Sequence, residues 1–133
     1  MSIFARGFMF GDGVYEVIPV RGGRPFHLEA HLFRLEESLK ATRITPTHNR
    51  DEWRNLIIDI LAKSDELNAQ IYLQITRGVA PYRSHDVGLM TPTELLMVQP
   101  VSTESLDPLT LSVCEDCLLY TSPSPRDRTR SRM

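Results

Sequence analysis

Between Gly13 and Val20 the chain reads "GVYEVIPV", a run dense in β-branched and aromatic residues that predicts a strand. The "RGGR" that follows supplies the glycines of a tight turn, and "PFHL" returns the chain as a second strand. The period then changes. Leu28, Leu32, Leu35 and Leu39 stand four, three and four residues apart, one apolar stripe on a helix ending near Thr42. Trp53, Leu56, Ile57, Ile60 and Leu61 repeat at i, i+3, i+4, i+7 and i+8. That spacing predicts a second helix with Asp51, Asp59 and Lys63 facing outward and Asn49 as its N-cap. In "NAQIYLQITRG", Ile71, Leu73 and Ile75 face one way, and Tyr72, Gln74 and Thr76 the other. "TELLMVQP" and "LTLSVCED" read as two more strands.

The order β-β-α-α-β-β-β predicts an α/β domain, a mixed sheet with both helices on one face. The last strand raises a problem for that domain. Leu109, Leu111 and Val113 require a partner layer, and nothing after Asp116 supplies one. The expectation is an incomplete domain spanning residues 1–116.

A length of 133 residues allows one modest core, and 41% hydrophobic with 24% charged residues is ordinary for a soluble globular chain. The net charge of -2 provides no basic field to attract nucleic acid. No apolar run approaches a membrane span, and the N-terminus lacks the apolar core of a secretory signal. Two cysteines are too few for a disulfide framework, which points to a reducing cytoplasm.

Charge breaks sharply at Cys117. From there Arg126, Arg128, Arg130 and Arg132 face Asp127 alone, whereas residues 1–116 hold 11 basic and 16 acidic side chains. The tail also has neither helical nor strand periodicity, so disorder is expected. Back-translated in one frame, Cys117 to Met133 resembles the end of a transposon-based sequencing adapter, followed by an index and a flow-cell primer site. On that reading 117–133 is artefactual, and the "CEDC" spacing of Cys114 and Cys117 is an accident of assembly. No metal or thiol site is expected there, and Cys114 is a small strand residue.

Three stretches carry candidate chemistry. "RGFMFGDGVYEV" (Arg6 to Val17) reads as a glycine-punctuated loop feeding a strand, with Tyr15 and Glu16 pointing to opposite faces. It is not a dinucleotide fingerprint, because a strand follows the glycines where that motif needs a helix. "HLEAHLFRLEESL" sets His31 and Arg34 at i, i+3, where the arginine either holds a phosphate or pairs with Glu37 or Ser38. "ITRGVAPYRSHDVG" places Arg77, Arg83 and His85 around a loop, fitting either a substrate carboxylate or an ordinary surface.

"RGFMFGDGVYEV", "HLFRLEESL" and "IYLQITRGVAP", in this order and spacing, resemble the class IV aminotransferases, the fold-type-IV enzymes dependent on pyridoxal 5′-phosphate. The resemblance covers nearly all of residues 2–116 and implies the N-terminal domain of that fold. Within the family, an Arg-x-His after "TRG" points to the D-amino-acid aminotransferase branch. A branched-chain aminotransferase and an aminodeoxychorismate lyase are the alternatives inside the family. A non-catalytic dimerisation or ligand-binding module is the alternative outside it.

What the resemblance implies attaches to particular residues. Arg34 matches the arginine that binds the cofactor phosphate. Tyr15 matches the tyrosine that hydrogen-bonds the substrate α-carboxylate. Arg83 and His85 match the pair that completes this carboxylate trap from the neighbouring subunit, which implies a homodimer. Substrates are then an amino acid and a 2-oxo acid. Three departures stand beside these matches. Ala5 replaces the usual aspartate, and "GVAPYRSH" is one residue longer than the family pattern. The Schiff-base lysine is expected roughly ten residues beyond Asp116 and has no counterpart here, since Lys40 and Lys63 occupy solvent-facing helix positions. No catalytic residue is therefore assigned within the chain.

Overall fold

The computed structural model describes residues 2–101 and Thr110. The expected final strand, both cysteines and the tail from Cys117 lie outside the described residues. The described chain runs α1 (Arg6–Phe10), β1 (Gly13–Arg21), β2 (Arg24–Pro25), α2 (Leu28–Thr42), α3 (Arg50–Ser64), β3 (Ala69–Thr76) and β4 (Thr93–Pro100). The sheet order is β2-β1-β3-β4, and all three pairings are antiparallel. Among the described residues the expected mixed sheet is therefore an antiparallel one, combined with helices.

Burial divides the sheet into two unlike faces. Ile18, Val20, Ile71, Leu73 and Ile75 face the core, where Leu32, Leu35 and Leu39 of α2 and Trp53, Ile57 and Leu61 of α3 cover them. Both helices therefore lie on one face, as the period of the apolar residues requires. The α3 stripe is narrower than its sequence pattern, with Leu56 exposed and Ile60 half-buried. The helices are tied to each other at the surface, where Arg54 donates to Glu29 at 2.6 and 2.7 Å and Arg50 pairs with Glu36. Asn49 caps α3 in a reciprocal capping box with Glu52, at 3.0 and 2.7 Å.

Two local expectations need correction. The "RGFMF" stretch is a five-residue helix rather than a loop, closed by Gly11 in the left-handed conformation. Its backbone is bracketed by the later chain, with Arg6 N–H donating to Gly78 O at 2.9 Å and Ala80 N–H to Phe4 O at 3.1 Å. The second strand is only Arg24–Pro25, not the whole of "PFHL". Gly22 and Gly23, both at positive φ, make the turn as expected, but His27 at φ 50° redirects the chain into α2. No helix among the described residues is long and apolar enough to cross a membrane.

Candidate functional site

Strand alternation gives β1 a different residue for each sheet face. Glu16 points toward the helices and is 3% exposed, while Tyr15 lies on the open face at 64%. Tyr15 stacks on Tyr72 of β3 with ring centroids 5.8 Å apart, which leaves its ring largely solvated.

A buried carboxylate needs donors, and α2 supplies them. His31 donates from Nδ1 to Glu16 Oε2 at 2.8 Å. Arg34 donates from Nε to Oε1 at 2.7 Å and from Nη2 to Oε2 at 2.5 Å, a two-pronged pair. Burial pushes the Glu16 carboxyl up, but hydrogen bonds and charge from Arg34 and His31 outweigh it, so Glu16 titrates below the ordinary glutamate range. The same contact raises Arg34 above its usual value. Arg34 thus pairs with a residue 18 positions away rather than with Glu37 or Ser38, and Glu37 instead takes Lys40 Nζ at 2.7 Å.

A second network forms around Asp12. Arg6 Nε donates to Asp12 Oδ2 at 2.6 Å, and Arg77 Nε donates to the same carboxylate at 2.9 Å. Burial raises Asp12, yet the two arginines prevail and hold it below the ordinary aspartate value. Both arginines reach further. Arg77 donates to the carbonyls of Thr42 and Arg43, 2.7 and 2.9 Å away, and so closes the C-terminus of α2. Arg6 donates from Nη1 to the carbonyl oxygen of Ser84 at 2.7 Å, inside the loop that bears Arg83 and His85.

Those two side chains each approach the same ring. Arg83 places its guanidinium 5.3 Å from the Phe10 centroid, and the His85 ring lies 5.0 Å from the same centroid. Arg6 packs against that ring as well, at 4.8 Å.

Arg83 and His85 therefore both pack against Phe10, and Arg34 and His31 both bond Glu16. Tyr15 stands apart from both groups, with Tyr72 as its ring partner. Hollows of about 580 Å³ beside Lys40 and about 370 Å³ beside Phe8 are lined by other residues. Lys40 and Lys63 are both exposed. Glu16, Asp12, Arg6 and Phe10 have no candidate chemistry legible in the sequence. Glu16 meets Arg34 and Asp12 meets Arg77 across 18 and 65 positions, and the Arg6–Asp12 pair, six positions apart, follows no helical or strand period.

The cofactor that the fold family implies carries a phosphate dianion, and Arg34 has the donors to meet one. Glu16 occupies the Nε–Nη2 edge of the guanidinium, while Nη1 makes no hydrogen bond among the described residues and the side chain is 66% exposed. A fixed, solvent-facing arginine edge of this kind suits a phosphate.

The profile of the amino-transferase class IV family matches residues 13–131. The D-alanine aminotransferase of Listeria monocytogenes is 36% identical over 85 residues, covering 64% of this chain and 29% of that protein. The D-alanine aminotransferase of Bacillus licheniformis is 35% identical over 102 residues, covering 76% of this chain and 36% of that protein. The chain thus spans about a third of the length of these relatives. Among solved structures, the branched-chain amino acid aminotransferase of Escherichia coli superposes with a TM-score of 0.70. At 19% identity, over 78% of this chain and 36% of that one, this likeness speaks for the fold alone. With the family profile spanning most of its length, the chain belongs to the class IV aminotransferases.

Proposed function

We propose that the whole protein is a pyridoxal-phosphate-dependent aminotransferase that moves an amino group between a D-amino acid, such as D-alanine, and a 2-oxo acid. The observation that carries this reading is that Arg83 and His85, two residues apart on one loop, both pack against the Phe10 ring, at 5.3 and 5.0 Å from its centroid. Contact with the ring restrains the guanidinium, whose N–H groups are suited to a carboxylate. The names and identity of the D-alanine aminotransferase relatives favour the same branch.

Each residue then has one task. Arg34, held by Glu16, donates from Nη1 to the cofactor phosphate. Tyr15 donates its phenolic O–H to the substrate α-carboxylate, and Arg83 and His85 hold the remaining oxygen from the partner subunit of a homodimer. Gripping the carboxylate at several points fixes the rotation of the substrate about Cα, so that the Cα–H bond is correctly oriented. When bound, pyridoxal phosphate supplies the electron sink that makes that hydrogen acidic. The proton-moving lysine is neither Lys40 nor Lys63, both exposed, and belongs to the part of the protein beyond Asp116. A cytoplasmic location accords with the two cysteines.

Residues 117–133 we read as adapter-encoded, with 1–116 as the native segment. The family profile extends through that tail, and amplifying the locus past Asp116 distinguishes the two accounts. A genomic frame that continues into the "LLYTSPSPRD" codons rejects the artefact. The activity itself is tested by assaying the uninterrupted gene product with D-alanine and with L-leucine against 2-oxoglutarate. Turnover of D-alanine supports the reading, and turnover of L-leucine alone rejects it.

A further inference from the structure

Arg6 is one of two charged residues buried among the described residues, at 4% exposed, and the carboxylate grip proposed above does not use it. Its guanidinium does three things at once. Nε is fixed by Asp12 at 2.6 Å, Nη1 holds the Ser84 carbonyl at 2.7 Å, and the cation packs on the Phe10 ring at 4.8 Å. Asp12 is in turn held by Arg77, which also closes the end of α2. Ser84 is the residue between Arg83 and His85. A donor clamped to its carbonyl sets the backbone from which both side chains project, and Phe10 sets where they come to rest.

We propose that Arg6 is the positioning residue of the carboxylate grip, fixing the 83–85 loop so that Arg83 and His85 present their donors together. This rests on the reading of Arg83 and His85 as carboxylate ligands. Arginine suits the task because its fork serves Asp12 and the loop carbonyl simultaneously, whereas lysine has one nitrogen for both. Arg6→Lys should therefore keep the ion pair with Asp12 and release the loop.

The test uses the uninterrupted gene product and two readouts. Limited trypsin digestion followed by peptide mass analysis gives the rate of cleavage at Arg83–Ser84, with Arg21–Gly22 in the exposed hairpin turn as internal reference. In Arg6→Lys the ratio of the two rates should rise about tenfold, the loss expected when one charge-assisted hydrogen bond is removed. Phe10→Leu, which keeps an apolar side chain but removes the ring, should raise it in the same direction. An unchanged ratio in both variants overturns the proposal.

The second readout is steady-state kinetics with D-alanine. Arg6→Lys should raise KM about tenfold with kcat changed far less, in parallel with Arg83→Ala. If Arg83→Ala raises KM and Arg6→Lys leaves it unchanged, the positioning role fails while the carboxylate reading stands. If Arg83→Ala itself leaves KM unchanged, the carboxylate reading fails and the positioning role falls with it.

Discussion

Tyr15 and Glu16 are neighbours in the chain and serve opposite faces of the sheet: the tyrosine is 64% exposed on the open face, the glutamate 3% exposed under α2. One residue of β1 thus faces solvent on the open side of the sheet, and the next anchors the arginine proposed to hold the cofactor. Strand pleating alone produces that division, since successive side chains point to opposite faces.

The first prediction concerns Glu16 and acid. Its folded-state pKa lies below the ordinary glutamate value, so its contribution to stability is present above the unfolded pKa and lost as pH falls through the folded one. Glu16→Gln removes that dependence and leaves one acceptor oxygen for three N–H donors. Urea unfolding at neutral pH should show a loss of roughly 1–3 kcal/mol, with a shallower decline on acidification than in the parent chain. An equally steep acid decline in the variant contradicts the assignment.

Asp12 should be more sensitive. It balances two buried or half-buried arginines, and Asp12→Ala leaves both cations without their carboxylate. Breaking a buried pair in this way costs about 3–5 kcal/mol. Thermal unfolding followed by circular dichroism should register a large drop, and a change confined to a few tenths of a kcal/mol would show the network to be ornamental.

Arg34 separates charge from shape. In the uninterrupted enzyme, Arg34→Ala should weaken cofactor affinity by at least tenfold, about 1.4 kcal/mol. Arg34→Lys should recover only part of this, because an ammonium cannot both occupy Glu16 and present a planar edge to phosphate. Fluorescence titration with pyridoxal phosphate measures both. Equal affinity in all three proteins rejects Arg34 as the phosphate ligand.

Gly78 opens the segment that leads to Arg83. Its φ of +111° is rarely adopted by residues with a side chain, and a Cβ there would overlap the Thr91 carbonyl oxygen. Gly78→Ala should destabilise the chain by at least about 1–3 kcal/mol, seen as a lower urea midpoint. A midpoint within error of the parent contradicts the described backbone.

The extent to which the sequence anticipated these features follows from how far apart the interacting residues lie. The α2 and α3 stripes and the alternation of Ile71, Leu73 and Ile75 are local periods, and burial follows them except at Leu56 and Ile60 of α3. The α1 helix has no signature of its own, because five residues with a glycine among them carry no helical period. Phe26 to Leu28 was read as strand because their side chains suit one, whereas the left-handed backbone at His27 ends it. The motif residues stand out in the sequence, but the groups that bond them do not. The bonds from Arg34 to Glu16 and from Arg6 to the Ser84 carbonyl span 18 and 78 positions, and only the folded sheet brings them together.

The central claim is that this segment carries the recognition contacts of a pyridoxal-phosphate enzyme and not its covalent anchor. The most direct measurement is borohydride reduction in the presence of pyridoxal phosphate, followed by peptide mass mapping, on the 133-residue chain and on the uninterrupted gene product. The account predicts no stoichiometric adduct at Lys40 or Lys63 in the short chain, and one unique modified lysine beyond Asp116 in the long one. A stoichiometric adduct at either Lys40 or Lys63, or none at any lysine of the long chain, contradicts it.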